Sequence, residues 1–414
     1  MEIPSYKPVE TVDPVSHHKQ KVTIMTNLAD AGAVRAPQLD MFGAIPNRSP
    51  VLAAWGCGVD STSYLIEMIE GGRHVEKGSE IIDHVLFADT GAEKPTTYMY
   101  LELFASWLEE RGIPLTVVQY QPKKYKNFPA YNSLDQNCFT NGTLPSIAFG
   151  FSSCSQKWKI APQNKWTESW KPAIDIWSAG GKVTKLIGYD CSPADLKRYA
   201  EREGYVDGRY YYRYPLREWG WKRPDCEQRI RDAGLPVPPK SACYMCTATK
   251  PHELHNTDDF PPALLRRIVL MEARAAPRLR TTEGLWRKAV KGKNGATPKP
   301  GSMTEYIRDQ KLLPASEVEH IIEAAPAALM AWQDWASGVP LDQRSDMKEW
   351  LAFFDLTSGD ELATGGRRFY ENLDAMTERH VGHMSIPAAE DAEQLLLMPS
   401  ADDDISEPGP CHAL

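Results

Sequence analysis

The chain has 414 residues, of which 42% are hydrophobic and 25% are charged, as is typical of a soluble globular protein. It contains no run of about 18 apolar residues, which excludes a membrane-spanning helix, and its N-terminus lacks the residue order of a signal peptide. The net charge of -8 argues against a protein that coats nucleic acid in bulk, but it does not exclude a local basic face. We therefore expect a cytoplasmic protein whose eight cysteines are reduced, metal-bound or catalytic rather than disulfide-bonded.

Composition divides the chain into four segments. Residues 1–48 are rich in Pro, His and polar residues without a sustained period, which indicates a flexible lead. Residues 49–256 carry an α/β pattern, and residues 257–385 carry a helical one. Residues 386–414 form an acidic tail that contains Pro and Ser, which we expect to be disordered.

Apolar strand patterns alternate with helical patterns in the second segment. Strands are predicted at residues 51–55, 84–88, 115–119 and 185–189, and helices after the first of these and at residues 95–111 and 193–202. Alternation of this kind predicts a doubly wound, mostly parallel sheet that is covered by helices on both faces. Further helices are predicted at residues 262–275, 302–311, 316–336 and 342–353, which would form a C-terminal helical region.

Three polar loops fall at the C-terminal ends of predicted strands, where parallel sheets bind ligands. They are residues 56–61, 89–91 and 188–190. The first has little side-chain bulk and opens a helix, so its backbone N–H groups would face an anion, and Ser61 and Thr62 would add hydroxyls. A simple turn between a strand and a helix is the alternative. The loop lacks the Gly-Lys-Ser/Thr ending of a Walker loop.

The sequence Gly56-Cys57-Gly58-Val59-Asp60-Ser61 resembles the PP-loop, Ser-Gly-Gly-x-Asp-Ser, with Gly56 in place of the Ser and Cys57 in place of the first Gly. The segment from Leu86 to Tyr98 resembles the DTG-x-E-x-P-x-T-Y segment of phosphoadenosine phosphosulfate (PAPS) reductase relatives. The chain thus resembles PAPS reductase-like proteins of the PP-loop (adenine nucleotide alpha hydrolase, HUP-like) superfamily, of phage and prokaryotic type.

The resemblance implies a site for ATP and Mg²⁺. It implies catalytic roles for Asp60, Ser61 and Asp89, although Asp89 could instead be only an acid at a helix N-terminus. The nucleotide-binding residues would be Gly56, Cys57, Gly58, Val59, Asp60, Ser61, Thr62, Asp89, Thr90, Gly91, Gly188 and Asp190.

Cys243 and Cys246 form a CxxC motif, which alone is compatible with zinc, an iron–sulfur cluster, redox chemistry or no function. A zinc site would need two more ligands, and His252 or His255 could serve. Residues 152–162 resemble the CC-x-x-R-K-x-x-P segment of adenylylsulfate reductases, and this implies a four-iron four-sulfur cluster. Ser153 replaces one Cys of the pair, so the expected ligands are Cys154, Cys226, Cys243 and Cys246.

Two further features suggest partners. Basic residues outnumber acidic ones between residues 266 and 311. Within this stretch, Lys291-Gly292-Lys293-Asn294-Gly295 is typical of a flexible basic loop, which would suit contact with the phosphates of DNA or tRNA. The alternative is a charged face that is exposed only to solvent. Residues Gln38 to Phe42 resemble the QLxLF-type peptide that docks into the bacterial sliding clamp, although the segment would equally suit packing on its own domain.

We therefore expect an enzyme that cleaves ATP to AMP and pyrophosphate, adenylates an acceptor and transfers sulfur to a nucleic acid. One alternative is a PAPS or adenylylsulfate reductase; the chain lacks the Glu-Cys-Gly-x-His segment of those enzymes, but Cys411 in its tail could act as the nucleophile. The other is a non-catalytic nucleotide-binding partner of the replication machinery. The sequence leaves the acceptor, the sulfur donor and the oligomeric state open.

Overall fold

The computed structural model describes residues 48–122, 130–145, 147–148, 151–152, 154–200, 204–279, 283–293, 298–323 and 325. Residues 1–47 of the predicted lead, the clamp-like peptide, the helix predicted at 342–353 and the acidic tail with Cys411 lie outside these ranges. Within them, no helix has the length and apolar character needed to cross a bilayer.

The described strands are β1 Val51–Trp55, β2 His84–Asp89, β3 Leu115–Gln119, β4 Ile147–Ala148, β5 Phe151–Ser152, β6 Val183–Leu186 and β7 Tyr210–Arg213. The described α-helices include α1 Val59–Glu70, α2 Pro95–Glu109, α3 Leu134–Asn141, α4 Ala161–Ser169, α5 Lys171–Ser178, α6 Pro193–Ala200, α7 Pro215–Glu218, α8 Arg223–Asp232, α9 Pro262–Ala275 and α10 Met303–Asp309. Residues 315–323 are also helical. A π-helical turn spans Ser155–Ile160, and short 3₁₀ turns span Pro251–His255 and Ala276–Arg278.

Five strands form one parallel sheet in the order β3-β2-β1-β6-β7, which confirms the predicted α/β class. The chain winds outward from β1 to β3 and then crosses to the other side of β1 to form β6 and β7. The strand order therefore reverses between β1 and β6. In open α/β sheets, ligands bind beyond the carboxyl ends of the strands at such a switch point.

Buried side chains cover both faces of the sheet, as is usual for parallel sheets. Alternate residues of β1 enter different cores: Trp55 packs with Phe104 of α2 on one face, and Leu52 packs with Ile176 of α5 on the other. A third core joins α3, α9 and α10 to the CxxC segment and includes Phe139, Tyr244, Met271 and Ile307.

The sequence predicted β1, β3 and α9 with the bounds that the structure has. It placed the fourth strand at residues 185–189, whereas β6 spans Val183–Leu186, so Gly188 and Tyr189 lie in the loop beyond the strand. It did not predict β7, because Tyr210–Arg213 is an edge strand with a mixed burial pattern and lacks an apolar alternation.

Candidate functional site

The loop between β1 and α1, hereafter the phosphate loop (residues 56–61), lies at the switch point of the sheet. It follows β1, and the loop after β6 contains residues 188–190. The loop that follows β2 begins at Asp89. The three polar loops predicted from the sequence therefore belong to adjacent strands in the order β2, β1, β6.

The phosphate loop opens α1 without a side-chain cap. Gly58 is the N-cap residue, has an extended backbone and makes no capping hydrogen bond. The first amides of an α-helix have no partner within the helix, and the helix dipole adds partial positive charge at that end. In the described part of the chain no side chain caps these amides, so the start of α1 can bind an anion.

Cys57 occupies the left-handed region of backbone space, with φ of 55°. Glycine adopts that conformation without the steric cost that a side chain brings, and the PP-loop pattern has glycine at this position. The Cys57 side chain is buried, and this burial, with a contribution from Glu93, raises the pKa of its thiol well above the ordinary value.

The two predicted hydroxyls hold the loop in shape. The Ser61 hydroxyl accepts a hydrogen bond from the Gly56 amide at 3.1 Å and donates to the Gly58 carbonyl at 3.3 Å. The Thr62 hydroxyl accepts from the Trp55 indole at 3.0 Å, and Thr62 is fully buried. The buried Ser61 thus joins Gly56 to Gly58 within the loop, whereas Thr62 fastens the loop to β1.

Close backbone contacts fix the loop from two sides. A β-carbon on Gly188 would lie 3.0 Å from the backbone nitrogen of Ser61 and 3.1 Å from its Cα, so the loop after β6 lies directly against the first turn of α1. A β-carbon on Gly58 would lie 3.0 Å from the hydroxyl of Ser241, just before the CxxC motif. Glycine at both positions permits these approaches.

Asp60 forms an ion pair with Arg223, the first residue of α8, at 3.1 Å. Burial raises the pKa of the Asp60 carboxyl to about 6, and the neighbouring Asp190 and Asp195 contribute to the rise, while Arg223 opposes it. The phosphate loop is therefore flanked by three carboxyl groups, and Arg223 offsets the charge of the one that lies on α1.

The loop after β6 is ordered by its own hydrogen bonds. The Asp190 carboxylate accepts from the Ser192 amide at 2.8 Å, and the Asp195 carboxylate accepts from the Asp190 amide at 3.2 Å. Arg198 pairs with Asp195 at 2.7 Å. Asp190 is thus held close to the phosphate loop, on the side opposite the loop after β2.

Asp89 is almost fully buried and engages three partners. One carboxylate oxygen accepts from the Gly91 amide at 2.7 Å and from the Tyr98 hydroxyl at 2.8 Å, and the other accepts from the Gln119 amide group at 2.6 Å. Burial nevertheless raises the pKa of Asp89. These contacts favour a positioning role, because Asp89 shapes the loop through groups on β3, α2 and its own turn.

The CxxC motif is tied to the loop after β2 by a short antiparallel bridge. The Lys94 amide donates to the Ala242 carbonyl at 3.0 Å, and the Tyr244 amide donates to the Ala92 carbonyl at 3.1 Å. The Cys246 amide donates to the Cys243 carbonyl at 3.0 Å, which closes the turn. The motif therefore adjoins the loop after β2 and, through Ser241, the phosphate loop.

Cys243 lies in a small polar cluster. The Cys243 sulfur is 3.1 Å from the Thr90 hydroxyl and 3.6 Å from the Glu93 carboxylate, which also accepts from Thr90 at 2.9 Å. Lys159 lies 3.5 Å from the same carboxylate. Glu93 is buried, so Lys159 supplies the positive charge that a buried carboxylate needs.

The structure separates the four predicted metal ligands into two groups. Cys243 belongs to the core built on α3 and α9, and Cys154 packs against that core; Cys246 closes the CxxC turn. Cys226 is fully buried in the core between α1 and α8, where burial and nearby carboxylates raise the pKa of its thiol. Helix α8 packs on α1 and carries Cys226 into a different core, so this structure gives no support to Cys226 as the fourth ligand.

Within the described residues, no three His, Cys, Asp or Glu side chains converge on a point that could hold a metal ion. Cys154, Cys243 and Cys246, the other predicted donors, do not form such a converging group in this structure. These three thiols remain the candidate donors for iron or zinc.

The predicted basic loop is described at residues 291–293, whereas residues 294–297 lie outside the described ranges. Val290 and Lys299 pair across its base through two backbone hydrogen bonds, of 2.7 and 2.9 Å. Lys288, Lys291 and Lys293 are exposed. Trp286 is buried beneath the loop, where its indole donates to the Thr249 carbonyl at 2.8 Å. The three lysines are therefore accessible to a ligand, whereas Trp286 packs in the hydrophobic core.

Comparisons with known proteins add no family assignment. No family model matches the chain, and no curated protein matches it.

Sequence reasoning missed several side chains at this site. The sequence did not indicate that Arg223 and Ser241 lie at the phosphate loop, because only the packing of α8 on α1 and the approach of Ser241 to Gly58 bring them there. Glu93 lies inside the quoted PAPS reductase-like segment, so that segment was the available signal for it.

Proposed function

We propose that the chain binds ATP at the phosphate loop and cleaves it to AMP and pyrophosphate while adenylating an acceptor. The observation that carries this proposal is the uncapped N-terminus of α1, which lies at the switch point of the sheet. The loop after β6 contacts it on one side, and Ser241 contacts it on another. Backbone amides at such a position bind phosphate oxygens without an obligatory lysine.

In the proposed reaction, an oxygen atom of the acceptor attacks the α-phosphorus of ATP. The new bond joins that oxygen to phosphorus, and the bond between the α-phosphorus and the bridging oxygen breaks, with its electron pair leaving on pyrophosphate. The amides at the start of α1 stabilise the negative charge that develops on the leaving group. A persulfide donor then attacks the carbon that bears the adenylated oxygen, and the bond between that carbon and the oxygen breaks as AMP leaves. A second thiol cleaves the S–S bond of the adduct and departs with the donor thiol as a disulfide, so that sulfur replaces the acceptor oxygen.

Magnesium, when bound, would neutralise part of the charge on the phosphates. Carboxylate oxygens are the ligands it prefers, and Asp60 and Asp190 supply them beside the loop. Two side chains of the protein would maintain the shape of the site. Ser61 holds the phosphate loop through its hydrogen bonds, and Asp89 orders the loop after β2.

The proposed acceptor is a nucleic acid, either DNA or tRNA. The support for it is the basic segment in which Lys288, Lys291 and Lys293 are exposed. Cationic side chains on such a loop bind the phosphate backbone and leave base recognition to the active site. A sulfur-activating iron–sulfur cluster, or zinc in its place, would use Cys154, Cys243 and Cys246 as donors.

Thermal protection by ATP tests the binding step. A ligand that binds only the folded state raises the melting temperature, and we expect ATP to do so for the parent protein. Ser61→Ala should largely remove this protection, because it deletes the hydroxyl that links Gly56 to Gly58. Equal protection of parent and variant by ATP would contradict this role for the loop.

Product analysis separates the proposed enzyme from its alternatives. Release of AMP and pyrophosphate from ATP supports adenylation. Thiol-dependent reduction of PAPS or adenylylsulfate would support the reductase alternative, and ATP binding without turnover in the presence of nucleic acid and a sulfur donor would support the non-catalytic one.

A further inference from the structure

Helices α1 and α8 pack side by side in parallel register. Arg223, at the start of α8, pairs with Asp60 in the first turn of α1 at 3.1 Å. Two turns further along, Arg229 pairs with Glu67 at 2.7 Å. Their N-termini therefore lie at the same edge of the molecule, and the positive ends of both helix dipoles face the region in front of the phosphate loop.

Arg223 has unused hydrogen-bonding capacity there. One terminal nitrogen bonds Asp60, and the inner nitrogen lies 3.4 Å from Glu227. In the described part of the chain the second terminal nitrogen has no acceptor, and 44% of the side chain is exposed. Arginine presents five N–H donors in a planar fork that suits phosphate oxygens.

Charge balance at the loop requires a cation when a polyphosphate binds. Asp60 lies within the first turn of α1, and Asp190 and Asp195 contribute further negative charge around it. Arg198 forms an ion pair with Asp195, and both residues lie on α6. Arg223 is thus the guanidinium that contacts the first turn of α1.

Building on the proposed function, we infer that Arg223 is a phosphate-binding residue of this site. It keeps its ion pair with Asp60, and its second terminal nitrogen donates to a phosphate oxygen when ATP or pyrophosphate occupies the loop. Arg223 then selects for a polyphosphate by direct contact and keeps Asp60 from repelling it. A phosphate bound at the loop would lie close to the Arg223 guanidinium, because this group already contacts the first turn of α1.

Calorimetric titration with pyrophosphate and with ATP tests this inference. We expect Arg223→Gln to weaken pyrophosphate affinity by about tenfold or more, since a charge-assisted contact is lost. Arg223→Lys should recover part of the affinity, because it keeps the charge but not the fork. Arg231→Gln is the matched control: Arg231 lies on the same helix, is exposed and pairs with Glu227, and its loss should leave affinity within about twofold.

The double variant Asp60→Asn/Arg223→Gln separates direct contact from simple neutralisation of Asp60. Direct contact predicts that the double variant binds pyrophosphate as weakly as Arg223→Gln or more weakly. Recovery of the parent's affinity in the double variant, or parent-like affinity of Arg223→Gln, overturns the inference and leaves the proposed function standing. Failure of the parent itself to bind ATP or pyrophosphate overturns both. Melting curves without ligand establish that each variant is folded.

Discussion

Gly188 lies against the first turn of α1, so that a β-carbon at residue 188 would lie 3.0 Å from the backbone nitrogen of Ser61. The nearby atoms belong to the backbone of residues 60 and 61 and cannot rotate away. The contact couples the loop after β6 to the phosphate loop, and it makes the shape of the proposed site sensitive to a single methyl group.

Gly188→Ala should therefore weaken ATP binding. The added methyl group must push the start of α1 and the loop after β6 apart, and overpacking of this kind costs about 1–3 kcal/mol. We expect ATP affinity to fall by about tenfold and the melting temperature to fall by a few degrees. Gly208→Ala is the control, since no atom lies within 4 Å of a β-carbon at that position. Similar ATP titrations for the two variants would refute the role of this contact.

Asp60→Asn should stabilise the ligand-free protein above pH 6. Burial raises the pKa of Asp60 from 3.8 to about 6, so folding disfavours its ionised form. The stability cost is fully present above about pH 6, decreases as pH falls and is absent below about pH 4, where the carboxyl is protonated in both states. At about pH 8 the variant should be more stable by roughly 1–3 kcal/mol.

Melting curves of parent and Asp60→Asn across this pH range provide the measurement. The difference between them should shrink to nothing as pH falls from about 6 to about 4. Asp309→Asn is the control, because that side chain is 58% exposed. A parent that is more stable than Asp60→Asn at pH 8 would mean that the Arg223 ion pair outweighs burial.

Metal content should depend on three cysteines and not on the fourth. After anaerobic preparation with iron supplied, we expect iron and sulfide in near-equal amounts, and replacement of Cys154, Cys243 or Cys246 by Ser should remove them. Cys226→Ala should retain the metal, because Cys226 lies in the separate core between α1 and α8.

Zinc in stoichiometric amounts without iron would support the zinc alternative for the same three thiols. Loss of metal from Cys226→Ala, with its melting temperature unchanged, would contradict the separation of the two groups.

Nucleic-acid binding should depend on the basic loop. Replacing Arg287, Lys288, Lys291 and Lys293 by Ala together should weaken binding of fluorescent DNA and tRNA at low salt and reduce the slope of log affinity against log salt, since each phosphate contact contributes about -0.9 to that slope on duplex DNA. A variant with Arg73, Lys77, Lys165 and Lys197 replaced by Ala has the same net charge and is the control, because these residues lie elsewhere on the surface. Equal binding by both variants would point away from this loop.

The sequence predicted those parts of the fold that local patterns determine. Strands such as β1 are short apolar runs bounded by turns, and the PP-loop resemblance placed residues 56–61 between β1 and α1. Strand β7 escaped prediction because it lies at the sheet edge, where a Tyr-rich segment is half exposed.

The candidate site was predictable only where it is contiguous in the chain. The CxxC motif was visible in the sequence, but its bridge to residues 92–94 depends on pairing across some 150 residues. Cys226 was proposed as a ligand because Ser153 replaces one Cys of the pair, whereas the packing of α8 on α1 decides where the Cys226 thiol lies. Arg223 is brought to Asp60 by that same packing.

The central claim, that amides at the start of α1 bind the phosphates of ATP, can be tested by removing one amide. Val59 is the first residue of α1, and proline is well accepted at this helix position while lacking an N–H group. Gly58 has the extended backbone that a residue before proline requires. Val59→Pro should therefore fold but bind ATP more weakly.

Val59→Ala is the matched control, because it loses similar packing and keeps the amide. The deciding measurement is a calorimetric titration of ATP, with Mg²⁺ present, against the parent, Val59→Ala and Val59→Pro. The account predicts that the parent and Val59→Ala bind ATP and that Val59→Pro binds about tenfold more weakly or worse. Equal affinities of Val59→Pro and Val59→Ala, or no binding of ATP by the parent, would contradict it.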